Sequence, residues 1–268
     1  MAHKVLVVAA HPDDEVLGCG GTILRHVANG DKVHIMIMAE GLTSRDNQRD
    51  VGLRQGELSE LHKNAHKVSD FLGAEELKIL DFPDNRMDSV ELLDVVKQIE
   101  AEVDDFCPDI VYTHHAGDVN VDHLITHKAV VTACRPLPGN TVKELYFFET
   151  LSSTEWQIPT SGKIFMPQMY ININEYLDKK IEALHLYESE MRKYPHSRSY
   201  EAVKILSKLR GFSVGMEYAE AFMVGRIILS ESCKYQDRKS VCPLGGDIHN
   251  LCIGSFPQLV SLYEGKVA

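Results

Sequence analysis

An imidazole and three carboxylates crowd into five residues at His11-Pro12-Asp13-Asp14-Glu15, and a second carboxylate–imidazole pair, Asp122-His123, lies far downstream. Gathering that much like charge costs free energy unless a cation offsets it, and a divalent metal is the usual one. Two imidazoles and one carboxylate, His11, Asp14 and His123, form a catalytic metal set that leaves a coordination position for water. The metal lowers the pKa of that water toward about 7. A carboxylate that is not a ligand then acts as general base, and Asp13, adjacent to Asp14 but aimed elsewhere, is the candidate. Zn2+ is the expected cofactor, although such a ligand set also accepts iron, cobalt or other divalent transition metals. Taken singly, Asp122 reads as the N-cap of its helix and Glu15 as a first-turn acid favoured by the helix dipole. Two such clusters at two strand ends favour the metal reading, with Asp122 and Glu15 supporting the ligands.

These groups meet only if the elements around them deliver them to one place. Val5-Leu6-Val7-Val8-Ala9 reads as a buried strand, and the residues immediately after such a strand sit at its carboxyl end, where open α/β sheets bind ligands. Further strands are predicted at 33–38, 78–80 and 109–113, separated by helices at 23–27, 54–72, 90–103 and 122–134. This alternation implies right-handed crossovers and a Rossmann-like three-layer α/β fold with a mostly parallel, doubly wound sheet. The second half is less regular, with strands expected at 144–148, 169–173 and 221–228 and helices at 176–190 and 200–210. One domain is expected over 1–230, its Rossmann-like core at about 1–135 and a substrate-shaping half at about 136–230. Residues 231–268 form a tail of unassigned role.

Composition narrows the partners. The 268 residues carry a formal charge of −11, which leaves no basic field to attract nucleic acid or an anionic membrane. No run approaches the length of a membrane span, and the first residues lack a signal-peptide pattern, so a cytoplasmic setting is expected. The six cysteines show no metal or disulfide spacing; Cys19, Cys107 and Cys134 read as small hydrophobes, and Cys233, Cys242 and Cys252 as without function. Gly18-Cys19-Gly20-Gly21 after a strand bears a superficial likeness to a dinucleotide loop. It lacks the required glycine spacing and comes after three acids that would repel a pyrophosphate.

Ala10-His11-Pro12-Asp13-Asp14-Glu15 together with Asp122-His123 resembles the LmbE-like, or PIG-L, family of zinc-dependent sugar N-deacetylases. The similarity extends over residues 4–229 and includes Arg54-Gln55-Gly56-Glu57, Asp84-Asn85-Arg86-Met87-Asp88 and His196-Ser197-Arg198-Ser199. The resemblance implies zinc on His11, Asp14 and His123, with Asp13 as base. Many relatives carry a histidine where this chain has Asn120, and that histidine is thought to steady the oxyanion. An asparagine amide donates a hydrogen bond to an oxyanion but supplies no proton. The acid for the leaving amine is then Asp13 after it has taken the proton of water, or a histidine such as His114 or His115. Arg54, Asp88, Glu40 and Arg198 are candidate substrate contacts, with plain alternatives: an Arg54–Glu57 ion pair, a helix cap at Asp88, a standing for Glu40 similar to that of Asp88, and a surface role for Arg198.

The expected activity is hydrolysis of the acetamide of an N-acetylglucosamine-type sugar or its conjugate, whether free sugar, sugar nucleotide, thiol conjugate or antibiotic. The partner is therefore a small molecule, with a homo-oligomer possible because trimers and hexamers occur among relatives. The alternative keeps the metal site and changes the electrophile, giving another hydrolysis or a hydration on a non-sugar substrate.

Overall fold

The computed structural model describes residues 2–229; the expected tail, with Cys233, Cys242, Cys252 and His249, lies outside them. Seven strands form one sheet: β1 (Lys4–Ala9), β2 (Lys32–Ala39), β3 (Glu76–Phe82), β4 (Ile110–His114), β5 (Glu144–Phe148), β6 (Met169–Asn172) and β7 (Ala219–Ile227). Their order is β3-β2-β1-β4-β5-β7-β6. The run β3 to β5 is parallel throughout, and β7 is antiparallel to both its neighbours.

Val5 to Ala10 are fully buried because β1 has apolar layers on both faces. Val5 and Val7 join a core with α1 (Asp14–Ala28), α2 (Gln55–Leu72), α5 (Leu177–Leu186) and Val203 of α6 (Tyr200–Phe212). Leu6 and Val8 face the opposite core, with α3 (Leu92–Phe106) and α4 (Val121–Ala133). Alternation along one strand thus serves two helical layers, as a doubly wound sheet requires. The chain leaves β1 toward β2 and leaves β4 toward β5, so the connections after these adjacent strands diverge. The crevice this opens at their carboxyl ends is the usual ligand position in open α/β folds. His11 comes just after β1 at this point, and the segment from His114 to His123 runs on from β4.

Helix α1 differs from its sequence pattern. A short helix over 23–27 is expected after a glycine-rich loop, yet the helix starts at Asp14 and bends at Cys19 (φ −147°, ψ 23°). The glycines serve close packing rather than a phosphate loop. A Cβ on Gly18 would collide with the Phe148 ring, and one on Gly21 would stand 2.8 Å from Ile173. At the bend, the Glu220 carboxylate accepts hydrogen bonds from the N–H groups of Gly21 (2.9 Å) and Thr22 (2.7 Å) and from the Thr22 hydroxyl (2.6 Å). It thereby restarts the helix as an N-terminal cap would. Lys180 Nζ, itself buried, pairs with the same carboxylate at 2.6 Å.

The helix expected over 176–190 also ends early. Tyr187 N–H closes the last turn on Leu184 O, three residues back, so α5 tightens and stops. The freed Tyr187 side chain turns inward, its hydroxyl donating to Glu15 Oε1 at 2.8 Å.

Candidate metal centre

Three ligand-type atoms converge at the β1–β4 crevice. Asp14 Oδ2 lies 3.1 Å from His11 Nδ1 and 3.2 Å from His123 Nε2. All three atoms lie within 4.8 Å of one another. Ligands about 2.0–2.1 Å from a tetrahedral zinc stand about 3.3 Å apart, so these separations suit a small cation. The far nitrogen of each imidazole meets a carboxylate. His11 Nε2 is 3.0 Å from Asp122 Oδ2 and 3.2 Å from Asp84 Oδ1, and His123 Nδ1 is 3.2 Å from Asp118 Oδ2. Metal-binding histidines are oriented in this manner, the outer N–H held by a carboxylate and the inner nitrogen left as an electron pair. His11, Asp84 and Asp122 also form a compact group. There, however, Asp122 already accepts the Met87 N–H at 3.0 Å and the Asn85 N–H, which makes it a brace for His11.

Charge is divided along the same lines. Burial disfavours a charged His123 ring, but Asp14 and Asp118 outweigh it and raise its pKa to about 9. Burial opposes ionisation of Asp84 as well, and its contacts with His11 and Ser44 hold it down at about 2. Burial likewise opposes ionisation of Asp14, while the surrounding histidines keep it well below the usual carboxylate range.

Asp13 takes a different place. Its backbone is left-handed (φ 117°), a conformation that costs a non-glycine residue on the order of 1–3 kcal/mol and that clusters at functional sites. The strain is held by Glu15, whose Oε2 accepts the Asp13 N–H at 3.0 Å. Burial pushes Asp13 well above the usual carboxylate range, with Arg198 opposing from 3.0 Å. Burial also lifts Glu15 to about 7, against its hydrogen bonds from Tyr187 and from the backbone at Asp13. A polar cleft of 160 Å3 opens here, lined by His11, Asp13, Asp84, Asn85, Asn120 and Arg198 among others.

Asn120 caps α4: its Oδ1 accepts the Asp122 N–H at 2.8 Å, the role that sequence offered to Asp122. Its Nδ2 donates to Asn85 Oδ1 at 3.0 Å and keeps a second N–H. His114 and His115 do not line the cleft. His114 Nε2 accepts the Ala10 N–H at 2.8 Å, which fixes the proton on Nδ1, and its ring stacks on His123. Burial, then the His123 charge, drives His114 well below its ordinary value. His115 Nε2 donates to Lys163 O at 3.1 Å, leaving Nδ1 enclosed without a partner among the described residues.

The four expected substrate contacts part ways. Arg198 lines the cleft, but its guanidinium is engaged with Asp13 and, through Nε, with Ser152 Oγ at 2.9 Å. Glu40 is buried and gripped by Arg49 (3.0 and 2.9 Å) and Thr43, so it fastens the loop after β2. Arg54 pairs with Asp46 as well as Glu57, and Asp88 is exposed; neither lines the cleft. Asp84 and Asp118 were not singled out by sequence, although each comes after a strand end as Asp13 and Asp14 do.

Residues 6–134 match the family model described as PIG-L: GlcNAc-PI de-N-acetylase. The chain is 28% identical over 191 residues to the uncharacterized deacetylase YaiS of Escherichia coli, covering 69% of this chain and 90% of that one. The N,N'-diacetylchitobiose deacetylase of Pyrococcus horikoshii superposes with a TM-score of 0.65 at 19% identity, covering 83% and 84%. The 4-carboxy-2-hydroxymuconate hydratase GalB of Pseudomonas putida gives 0.67 at 20% identity, covering 86% and 99%. At such identities the two structures establish a shared fold. Among the described residues no helix is long and apolar enough to cross a membrane.

Proposed function

Because residues 6–134 of this chain are a PIG-L (LmbE-like) family domain, we propose that the protein is a Zn2+-dependent hydrolase that removes the acetyl group from an N-acetylated amino sugar or its conjugate. The observation that carries this reading is the convergence of His11 Nδ1, Asp14 Oδ2 and His123 Nε2, each imidazole backed by a carboxylate, beside a strained Asp13. When bound, the ion supplies Lewis acidity and makes water a nucleophile near neutral pH. Asp13 takes the proton from the attacking water, and its raised affinity for protons suits a group that must then return one to the leaving nitrogen. Arg198 fixes the carboxylate in place. The spare N–H of Asn120 donates to the oxyanion that forms at the acetamide carbonyl. His114 and His115 do not line the cleft, which supports Asp13 as the acid as well as the base.

The reading extends to a single catalytic domain over 1–230 with residues 136–230 shaping the substrate site, a small-molecule partner, a cytoplasmic setting and self-association. An acetate-release assay on metal-depleted and zinc-restored protein, run against a panel of N-acetyl sugars, tests reaction, substrate class and cofactor together. Acetate that appears only on restoration supports the proposal. No acetate from any N-acetyl hexosamine, with addition of water to an unsaturated acid, transfers the reading to hydration, the chemistry named for GalB.

A further inference from the structure

Four consecutive residues that no motif of the sequence singles out, Ser152-Ser153-Thr154-Glu155, form a turn after β5. Because β5 lies parallel beside β4, the turn comes out at the same edge of the sheet as the segment from His114 to His123. Ser152, Ser153 and Thr154 are buried, and the three hydroxyls meet groups of the candidate centre. Ser152 Oγ accepts from Arg198 Nε at 2.9 Å, and the same guanidinium pairs with Asp13 at 3.0 Å. The Ser153 and Thr154 hydroxyls donate to the two oxygens of Asp118, the carboxylate behind His123, Thr154 from 2.7 Å. Thr154 Oγ1 also accepts the Thr150 N–H at 2.8 Å, which commits its own proton to Asp118.

Ser152 reaches Arg198 from a left-handed backbone (φ 66°), a conformation that a non-glycine residue keeps only where its surroundings enforce it. The enforcing group is the Glu155 carboxylate, whose two oxygens accept the N–H groups of Ser152 at 2.7 Å and Ser153 at 3.3 Å. These bonds are charge-assisted and close the turn on itself. Glu155 is exposed and does not line the cleft, so whatever it does for the site it does through the turn.

We propose that Glu155 is a positioning residue for both halves of the site: by fixing one turn it holds the base Asp13 through Ser152 and Arg198, and the ligand His123 through Ser153, Thr154 and Asp118. The arm to Asp13 rests on the hydrolase reading, whereas the arm to Asp118 rests only on a metal being bound. Serving both arms from one turn keeps the base at a fixed distance from the ligand set, and small displacements of such groups are costly in rate.

The test uses Glu155→Ala and Glu155→Gln, with Ser152→Gly and Thr154→Val as probes of one arm each. Ser152→Gly removes the hydroxyl and leaves the left-handed backbone free of strain. Zinc affinity is read by chelator competition and the thermal midpoint by a melting scan. At saturating zinc, kcat and KM are measured on whichever N-acetyl sugar or unsaturated acid the wild type turns over. Glu155→Ala is expected to lose about three- to tenfold in zinc affinity and in kcat together, with KM held, being one link removed from the braces themselves. Glu155→Gln should recover part of both, since its amide oxygen still accepts the Ser152 N–H. Ser152→Gly should lower kcat and Thr154→Val chiefly the zinc affinity, which separates the arms. A Glu155→Ala protein that binds zinc and turns over as wild type does, with or without a lowered midpoint, overturns the inference, and so does a loss confined to KM. If no N-acetyl sugar yields acetate while the zinc affinity still falls in Glu155→Ala and returns in Glu155→Gln, the positioning role stands and the deacetylase reading fails instead.

Discussion

Two buried clusters of charge lie on either side of the first helical turns of α1, and they are built to opposite rules. At the bend of the helix, Glu220 meets one cation, Lys180, and every remaining demand on its oxygens is filled by Gly21 and Thr22. At the start of the helix, Asp13, Asp14, Glu15, Asp84, Asp118 and Asp122 are all buried, and among the described residues Arg198 is the one guanidinium that pairs with any of them. The first cluster is complete within the chain and reads as architecture. The second has an excess of carboxylates around imidazoles whose inner nitrogens point at one another, and a dication of the proposed kind would complete it. Burial of charge is common to both; what separates them is whether each acceptor already has its donor.

The comparison is most sharply broken by removing one carboxylate from each cluster. Asp13→Asn is expected to reduce acetate release by about 10²- to 10⁴-fold while metal content, read by elemental analysis, holds and the thermal midpoint does not fall. Removal of a like charge relieves the site even as it disables it. His11→Ala, by contrast, should lose metal and turnover together. Glu220→Ala is expected to behave in the reverse sense, lowering stability by about 3–5 kcal/mol in urea titrations, because it strands Lys180 and the two helix N–H groups. If Glu220→Ala proved as stable as wild type, or Asp13→Asn unfolded, the two clusters would have been assigned the wrong way round.

The difference also explains what could be read without coordinates. The candidate metal centre is built from short-range motifs at strand ends, so His11, Asp13, Asp14 and His123 stand out, as does the β-α alternation that brings β1 beside β4. Asp84 and Asp118 obey the same strand-end rule but sit in runs where another residue, Asp88 or Asp122, drew the assignment. Arg198 was legible as a site residue and illegible as the partner of Asp13, since no local pattern reports a contact between residues 185 positions apart. Glu220 gave no signal at all. Its place under the bend of α1 depends on β7 running antiparallel beside β5, a pairing that strand propensity cannot reveal.

Bracing around the proposed metal centre should have an intermediate effect. Asp118→Asn leaves the three inner ligand atoms in place and removes the carboxylate behind His123, so metal affinity is expected to drop about 10- to 100-fold. The same variant has a signature in pH. With His123 raised to about 9, metal binding to depleted protein must displace a proton, so affinity climbs with pH up to that value, by as much as tenfold per unit. For folding of the depleted protein the sign is opposite. The raised pKa stabilises the fold fully below about 6.5, and that contribution is lost as pH rises toward about 9. Asp118→Asn should narrow both windows from the top. Competitive chelator titrations across pH 6–9 check the first window, and midpoints of the depleted protein check the second.

The smallest effect concerns Asn120, where the two rules meet in one side chain. Its Oδ1 is architectural, accepting the Asp122 N–H at the start of α4, while Nδ2 keeps a second hydrogen for the proposed chemistry. Asp caps a helix as well as Asn does, whereas Ala forfeits about 1 kcal/mol. Asn120→Asp should therefore keep the thermal midpoint and lose acetate release, because it exchanges an N–H donor for a carboxylate that repels an oxyanion. Asn120→Ala should lose both the cap and the donor. If the Asp variant turned over at the wild-type rate, the amide of Asn120 would belong wholly to the helix, and the oxyanion would depend on other groups of the cleft. Loss of turnover with an unchanged midpoint assigns the two ends of the same amide to the two kinds of work that the buried clusters keep apart.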